Sequence, residues 1–111
     1  MLVYCNNIVL ADKVGIANNF FRRFIGLMGK KKLDFGEGLL LLGTPSIHCF
    51  FMKITIDAIY LSKDMKVLGV ETLRPWSIGK YIKKTAHVLE LGEGIASNVK
   101  VGDTIVIDNV A

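Results

Sequence analysis

Turn-forming residues cut this chain into short pieces, and their spacing constrains the fold more than any other feature. Asn6-Asn7, Gly36-Glu37-Gly38, Gly43-Thr44-Pro45, Ser62-Lys63-Asp64 and Gly92-Glu93-Gly94 each interrupt an apolar run. Most of the runs between them suit strands better than helices. They are rich in Val, Ile, Leu, Phe and Tyr, which fit a pleated, half-buried surface. The pattern predicts a hairpin over residues 2–10, folded on Asn6-Asn7. Further strands are expected at 39–42, 49–53, 57–61, 66–73, 87–91 and 104–107. Residues 74–80 read as an irregular surface loop and 95–98 as one helical turn.

One segment breaks this rhythm. Phe20, Phe21, Phe24, Ile25, Leu27 and Met28 fall on one face at helical spacing, with Asn18 or Asn19 available as N-cap. Gly29 supplies a stop, and Lys30, Lys31 and Lys32 sit where cations complement a helix C-terminus. So wide an apolar face is expected to plug the open side of a β structure. The fold class is therefore mostly β (α+β in the broad sense): a compact β-barrel or β-sandwich of short strands with one short amphipathic helix near residues 18–28. No repeat or linker divides the 111 residues, so a single domain over 1–111 is expected.

Composition narrows the setting. With 51% apolar and 22% charged residues, the chain has the make-up of a globular protein rather than a disordered tail. Cys5 and Cys49 do not make a disulfide framework and read as free thiols in a reducing compartment. The N-terminus lacks a basic n-region, and no apolar run reaches the roughly 20 residues of a membrane helix. A soluble, cytoplasmic protein without membrane insertion is the expectation. The formal charge of +4 concentrates at residues 30–32, near Arg22 and Arg23, and at 80–84. That density falls below a nucleic-acid footprint and suits a solvated lysine surface.

The segment with most chemistry is Ser46-Ile47-His48-Cys49-Phe50-Phe51-Met52 running on to Asp57. On a regular strand His48, Phe50 and Met52 share one face, with Cys49 and Phe51 on the other. His48 and Cys49 then do not converge on one metal ion or form a thiolate pair, and His48 with Met52 offers too few ligands for copper. No metal and no cofactor are expected. Asp57 lies in an apolar frame, so it either ties its strand to a loop through backbone amides or lines a pocket beside His48 as acceptor or general base. Glu90 poses the same question, on the face opposite His87, Leu89 and Leu91. Arg74, Pro75 and Trp76 place a planar cation beside a large aromatic in a loop, types that dominate recognition surfaces. The glycines match neither a P-loop nor a dinucleotide fingerprint.

Three blocks in this chain resemble the domain of unknown function 192 family. The first runs Gly26-Leu27-Met28-Gly29-Lys30-Lys31-Lys32-Leu33 and on to Gly36-Glu37-Gly38-Leu39-Leu40-Leu41. The second is Ile47-His48-Cys49-Phe50-Phe51-Met52, followed by Ile56-Asp57-Ala58-Ile59-Tyr60-Leu61. The third is Val88-Leu89-Glu90-Leu91, then Gly92 to Gly94, ending in Val101-Gly102-Asp103-Thr104-Ile105. Together they span most of the chain. Lys30 stands where the family usually shows arginine, Phe51 where many members have tryptophan, and Thr55 where proline is frequent. The resemblance implies a compact β-rich fold decorated by a short helix, and it implies no particular reaction.

These readings converge on a non-catalytic β-barrel-like module that binds a small ligand or a protein partner as a monomer or weak homo-oligomer. Its ligand-binding residues would be His48, Met52, Asp57, Arg74 and Trp76. One alternative is a small enzyme with His48 and Asp57 as catalytic acid/base pair. The other is a basic module that meets an anionic partner through Arg22, Arg23 and residues 30–32.

Overall fold

The computed structural model describes residues 1–17, 36–44 and 54–108, which form two β-sheets. In chain order the first hairpin joins β1 (Leu2–Cys5) to β2 (Ile8–Ala11). Asn6 and Asn7 turn it with φ of 53° and 65°, the left-handed pair that a two-residue turn matching strand twist demands. β8 (Ile105–Asp108) pairs antiparallel with the other edge of β1, giving a three-stranded sheet of order β2-β1-β8.

The larger sheet contains β3 (Lys13–Ala17), β4 (Glu37–Leu42), β5 (Ile56–Leu61), β6 (Val67–Leu73) and β7 (His87–Gly92). Their spatial order is β3-β4-β7-β5-β6, antiparallel throughout except for the parallel pair β3–β4. All six residues of β5 are buried, which is why, Asp57 apart, it reads as an apolar run and not as an alternation.

Register sorts the side chains of this sheet onto two faces. The row Ile16–Leu40–Leu89–Ile59–Val70 lies on one face. There Leu40, Leu89, Ile59 and Leu91 join Val3 and Cys5 of β1 and Ile105 of β8 in a core shared by the two sheets. The opposite face carries a second cluster of Leu41, Ile56, Ala58, Tyr60, Leu73 and Val88. Two stacked sheets with a common core are a sandwich-like arrangement. Among the described residues the sheets do not join into a closed barrel.

Several expectations meet the structure directly. The strands at 2–10, 39–42, 57–61, 66–73, 87–91 and 104–107 form, with ends moved by one or two residues. Residues 95–98 are not a helical turn. Here Ile95, Ser97 and Val99 donate in succession to the carbonyls of Gly92, Gly94 and Ala96, as in consecutive tight turns. β3 was not expected at all. The helix near residues 18–28 and the strand at 49–53 lie outside the described residues. Among those residues no helix is long and apolar enough to cross a membrane.

Candidate functional site

Asp57 sits on β5 and is 3% exposed. Its Oδ2 accepts the backbone N–H groups of Gly94 and Ala96, both at 3.0 Å, and its Oδ1 accepts the Thr72 hydroxyl at 2.9 Å. Three donors satisfy a carboxylate that would otherwise be costly to bury. The side chain thus fastens the 92–99 turns to the larger sheet.

Glu90 is placed quite differently. It occupies the middle of β7, the central strand, in the row Gly15–Leu39–Glu90–Ala58–Glu71. Residues directly across neighbouring strands share a face, so Glu90 and Glu71 stand on the second-core face with only the Ala58 methyl between them. Glu90 is 3% exposed. Burial alone pushes its carboxyl up to about 8, and no hydrogen bond from a described residue offsets that cost. At neutral pH the group is therefore mostly a protonated, neutral acid. Glu71 is well held: Tyr60 donates its hydroxyl to Oε2, and the backbone N–H of Lys80 donates to the same oxygen at 2.7 Å.

That last bond introduces the loop beyond β6. Ser77 donates to the Arg74 carbonyl at 3.2 Å, closing a turn with Pro75 and Trp76 at its centre. Trp76 takes φ 67°, a left-handed conformation usually left to glycine at this turn position. Thr85 closes a second turn onto Ile82 at 3.2 Å. Ile82, which opens that second turn, packs where Gly69 has no side chain: a Cβ there would collide with the Ile82 Cδ1. The loop is thus pinned at Glu71 and Gly69 on edge strand β6. Its outward residues include Trp76 (61% exposed), Ile78 (71%) and Tyr81 (76%).

Two other polar positions are structural. Gly43 donates its N–H to His87 Nδ1 at 3.0 Å, linking the end of β4 to β7. Asp103 Oδ2 accepts the backbone N–H of Lys100 at 2.9 Å and the Asn6 amide at 3.3 Å, and the Cys5 thiol points to it at 3.5 Å. The Lys100 bond, foremost, holds the Asp103 carboxyl below its ordinary value, whereas burial pushes the Cys5 thiol up. A thiol so shifted is a poor nucleophile. Cys5 also borders a cavity of about 190 Å³ between the first hairpin and the 95–99 turns, lined by Ile8, Leu10, Ile95 and Val99 among others.

Of the residues singled out from sequence, the structure thus locates Asp57, Glu90, Arg74 and Trp76; His48, Met52 and Cys49 lie outside the described residues. Asp57 is on the face of β5 opposite Ala58 and Glu90, so it does not join the two glutamates. Among the described residues no three metal-ligating side chains cluster. Ile78 and Tyr81 were not singled out from the sequence, although the lack of any acid between Thr72 and Glu90 is a signal that could have drawn attention to their loop.

These features define a small two-sheet β domain with a buried acid on one sheet face and a cationic, apolar-tipped loop at the sheet edge. Residues 5–107 match the family model of domain of unknown function 192, described as an uncharacterized ACR, and the chain belongs to that family. It is 38% identical over 99 residues to the UPF0127 protein PH1112 of Pyrococcus horikoshii, covering 85% of this chain and 84% of the relative. Among solved structures, a protein of unknown function from Novosphingobium aromaticivorans superposes with TM-score 0.80 at 21% identity, over 96% of this chain and 84% of that one. A second, from Sinorhizobium meliloti and described as a "putative transcription regulator", superposes with TM-score 0.73 at 22% identity, over 84% and 79%. At such identities the two structures establish the shared fold alone.

Proposed function

We propose that the protein is a non-catalytic binding module whose recognition surface is the loop of residues 74–84. One observation carries this reading: Trp76, Ile78 and Tyr81 turn outward from a loop whose backbone is fixed by two turns and by the Lys80–Glu71 bond. Large apolar tips held in water on a preformed scaffold are what a recognition surface needs, because little ordering cost remains at binding. Arg74 and Trp76 belong to this surface. His48 and Met52, with Asp57, stay in the proposal as small-ligand residues on the grounds of their sequence alone. An acid/base role for Asp57 has to compete with three hydrogen bonds already made to its carboxylate, which favours binding over catalysis.

Backbone-amide NMR titration tests the reading with three probes: polyglutamate, a short oligothymidylate and anionic bicelles. The expected result is that at least one probe shifts signals clustered in residues 74–84. Shifts confined to other regions, or none with any probe, would refute it.

A further inference from the structure

The chemistry of this loop narrows its partner further, on the assumption that it is the recognition surface just described. Arg74, Lys80, Lys83 and Lys84 are all exposed. Their four charges equal the formal net charge of the whole chain, so the remaining ten cations balance its ten acids. No Asp or Glu occurs from Thr72 to Leu89. The surface of the loop therefore combines cations with large apolar tips and lacks a negative charge.

An occupant must offer negative charge at its surface and an apolar region just behind. A single nucleic-acid strand would stack on Trp76 and Tyr81 but provides no apolar interior for Ile78, which is 71% exposed. A bilayer provides both. Tryptophan and tyrosine favour the headgroup level, an aliphatic tip favours the acyl boundary, and lysine or arginine near the surface gains from anionic lipid. The pinned backbone already presents Trp76, Ile78 and Tyr81 outward, so docking needs no refolding of the loop.

We propose that residues 74–84 dock the protein peripherally on an anionic phospholipid surface. Trp76, Ile78 and Tyr81 enter the headgroup–acyl boundary, while Arg74, Lys80, Lys83 and Lys84 meet the lipid phosphates. No segment spans the bilayer in this arrangement.

Co-sedimentation with sucrose-loaded vesicles tests it, comparing phosphatidylcholine alone with phosphatidylcholine containing one part in three phosphatidylglycerol. The wild-type protein is expected to partition onto the anionic vesicles only, and less so as salt rises. Ile78→Ser is expected to weaken partition roughly tenfold through the lost apolar contact. The double variant Lys83→Glu, Lys84→Glu weakens it at least as much, with unchanged circular dichroism and thermal melting in both variants. Absence of partition onto anionic vesicles would overturn the lipid assignment. If a short oligothymidylate then binds and Ile78→Ser or the charge variant abolishes that binding, the loop remains the recognition surface and only its partner is wrong. Vesicle binding undiminished in both variants would overturn the assignment and the loop reading together.

Discussion

Replacing Glu90 by glutamine isolates what it costs to set a carboxyl at the centre of the five-stranded sheet. In the unfolded chain the group ionises near its ordinary 4.5; in the folded chain burial pushes it up to about 8. Between those values the folded protein holds a proton that the unfolded chain has released. The contribution of Glu90 is therefore fully present below 4.5, falls between the two values and is lost as pH rises through about 8. The slope approaches about 1.4 kcal/mol per pH unit, and over the window of about 3.5 units it amounts to on the order of 5 kcal/mol. Glutamine keeps the shape and has no proton to lose, so Glu90→Gln removes this slope. Urea unfolding followed from about pH 5 to about pH 9 reads it directly, because other titrating groups are common to both proteins. The wild type should lose stability across this range relative to the variant, with the difference in favour of glutamine greatest at the alkaline end. Parallel stability curves would refute the reasoning, since they would mean that Glu90 ionises as freely in the folded state as in the unfolded.

Asp57→Ala strands the amides of Gly94 and Ala96 and the Thr72 hydroxyl. Urea unfolding should show a loss of about 3 kcal/mol, and a loss below about half a kcal/mol would contradict a fastening role. Gly69→Val places methyl groups where Ile82 now packs. It should destabilise the protein by about 1–3 kcal/mol in the same assay and raise hydrogen exchange in the 74–84 loop; exchange unchanged in the loop would show that Ile82 does not anchor it.

Local chemistry made much of this fold legible. Asn6-Asn7 marks its hairpin because few residues other than glycine and asparagine take two left-handed conformations in succession, and Ser62-Lys63-Asp64 marks the β5–β6 connection for related reasons of turn geometry. β3 is not legible in the sequence because Gly15 interrupts its apolar pattern and its partner β4 lies parallel and distant in sequence, so no hairpin announces the pair. The turns over residues 92–99 owe their shape to the carboxylate of Asp57, nearly forty positions earlier, which no local pattern encodes. The same non-locality separates the two buried acids. Asp57 and Glu90 look alike in sequence, each a carboxylate in an apolar strand. Only the register shows that one faces waiting amides and the other faces Leu39 and Ala58. Trp76 and Arg74 were visible as a loop pair, whereas the exposure of Ile78 and Tyr81 depends on Ile82 and Lys80 being drawn toward β6.

Trp76 is the chain's single tryptophan, so its fluorescence reports from within the proposed recognition surface without any label. The most direct measurement is its emission maximum during titration with anionic vesicles, against neutral vesicles at the same salt. If the loop docks on anionic lipid, the emission shifts to shorter wavelength with the anionic vesicles alone, and added salt reverses the shift. Emission that stays at its solvent-exposed wavelength throughout would contradict that docking.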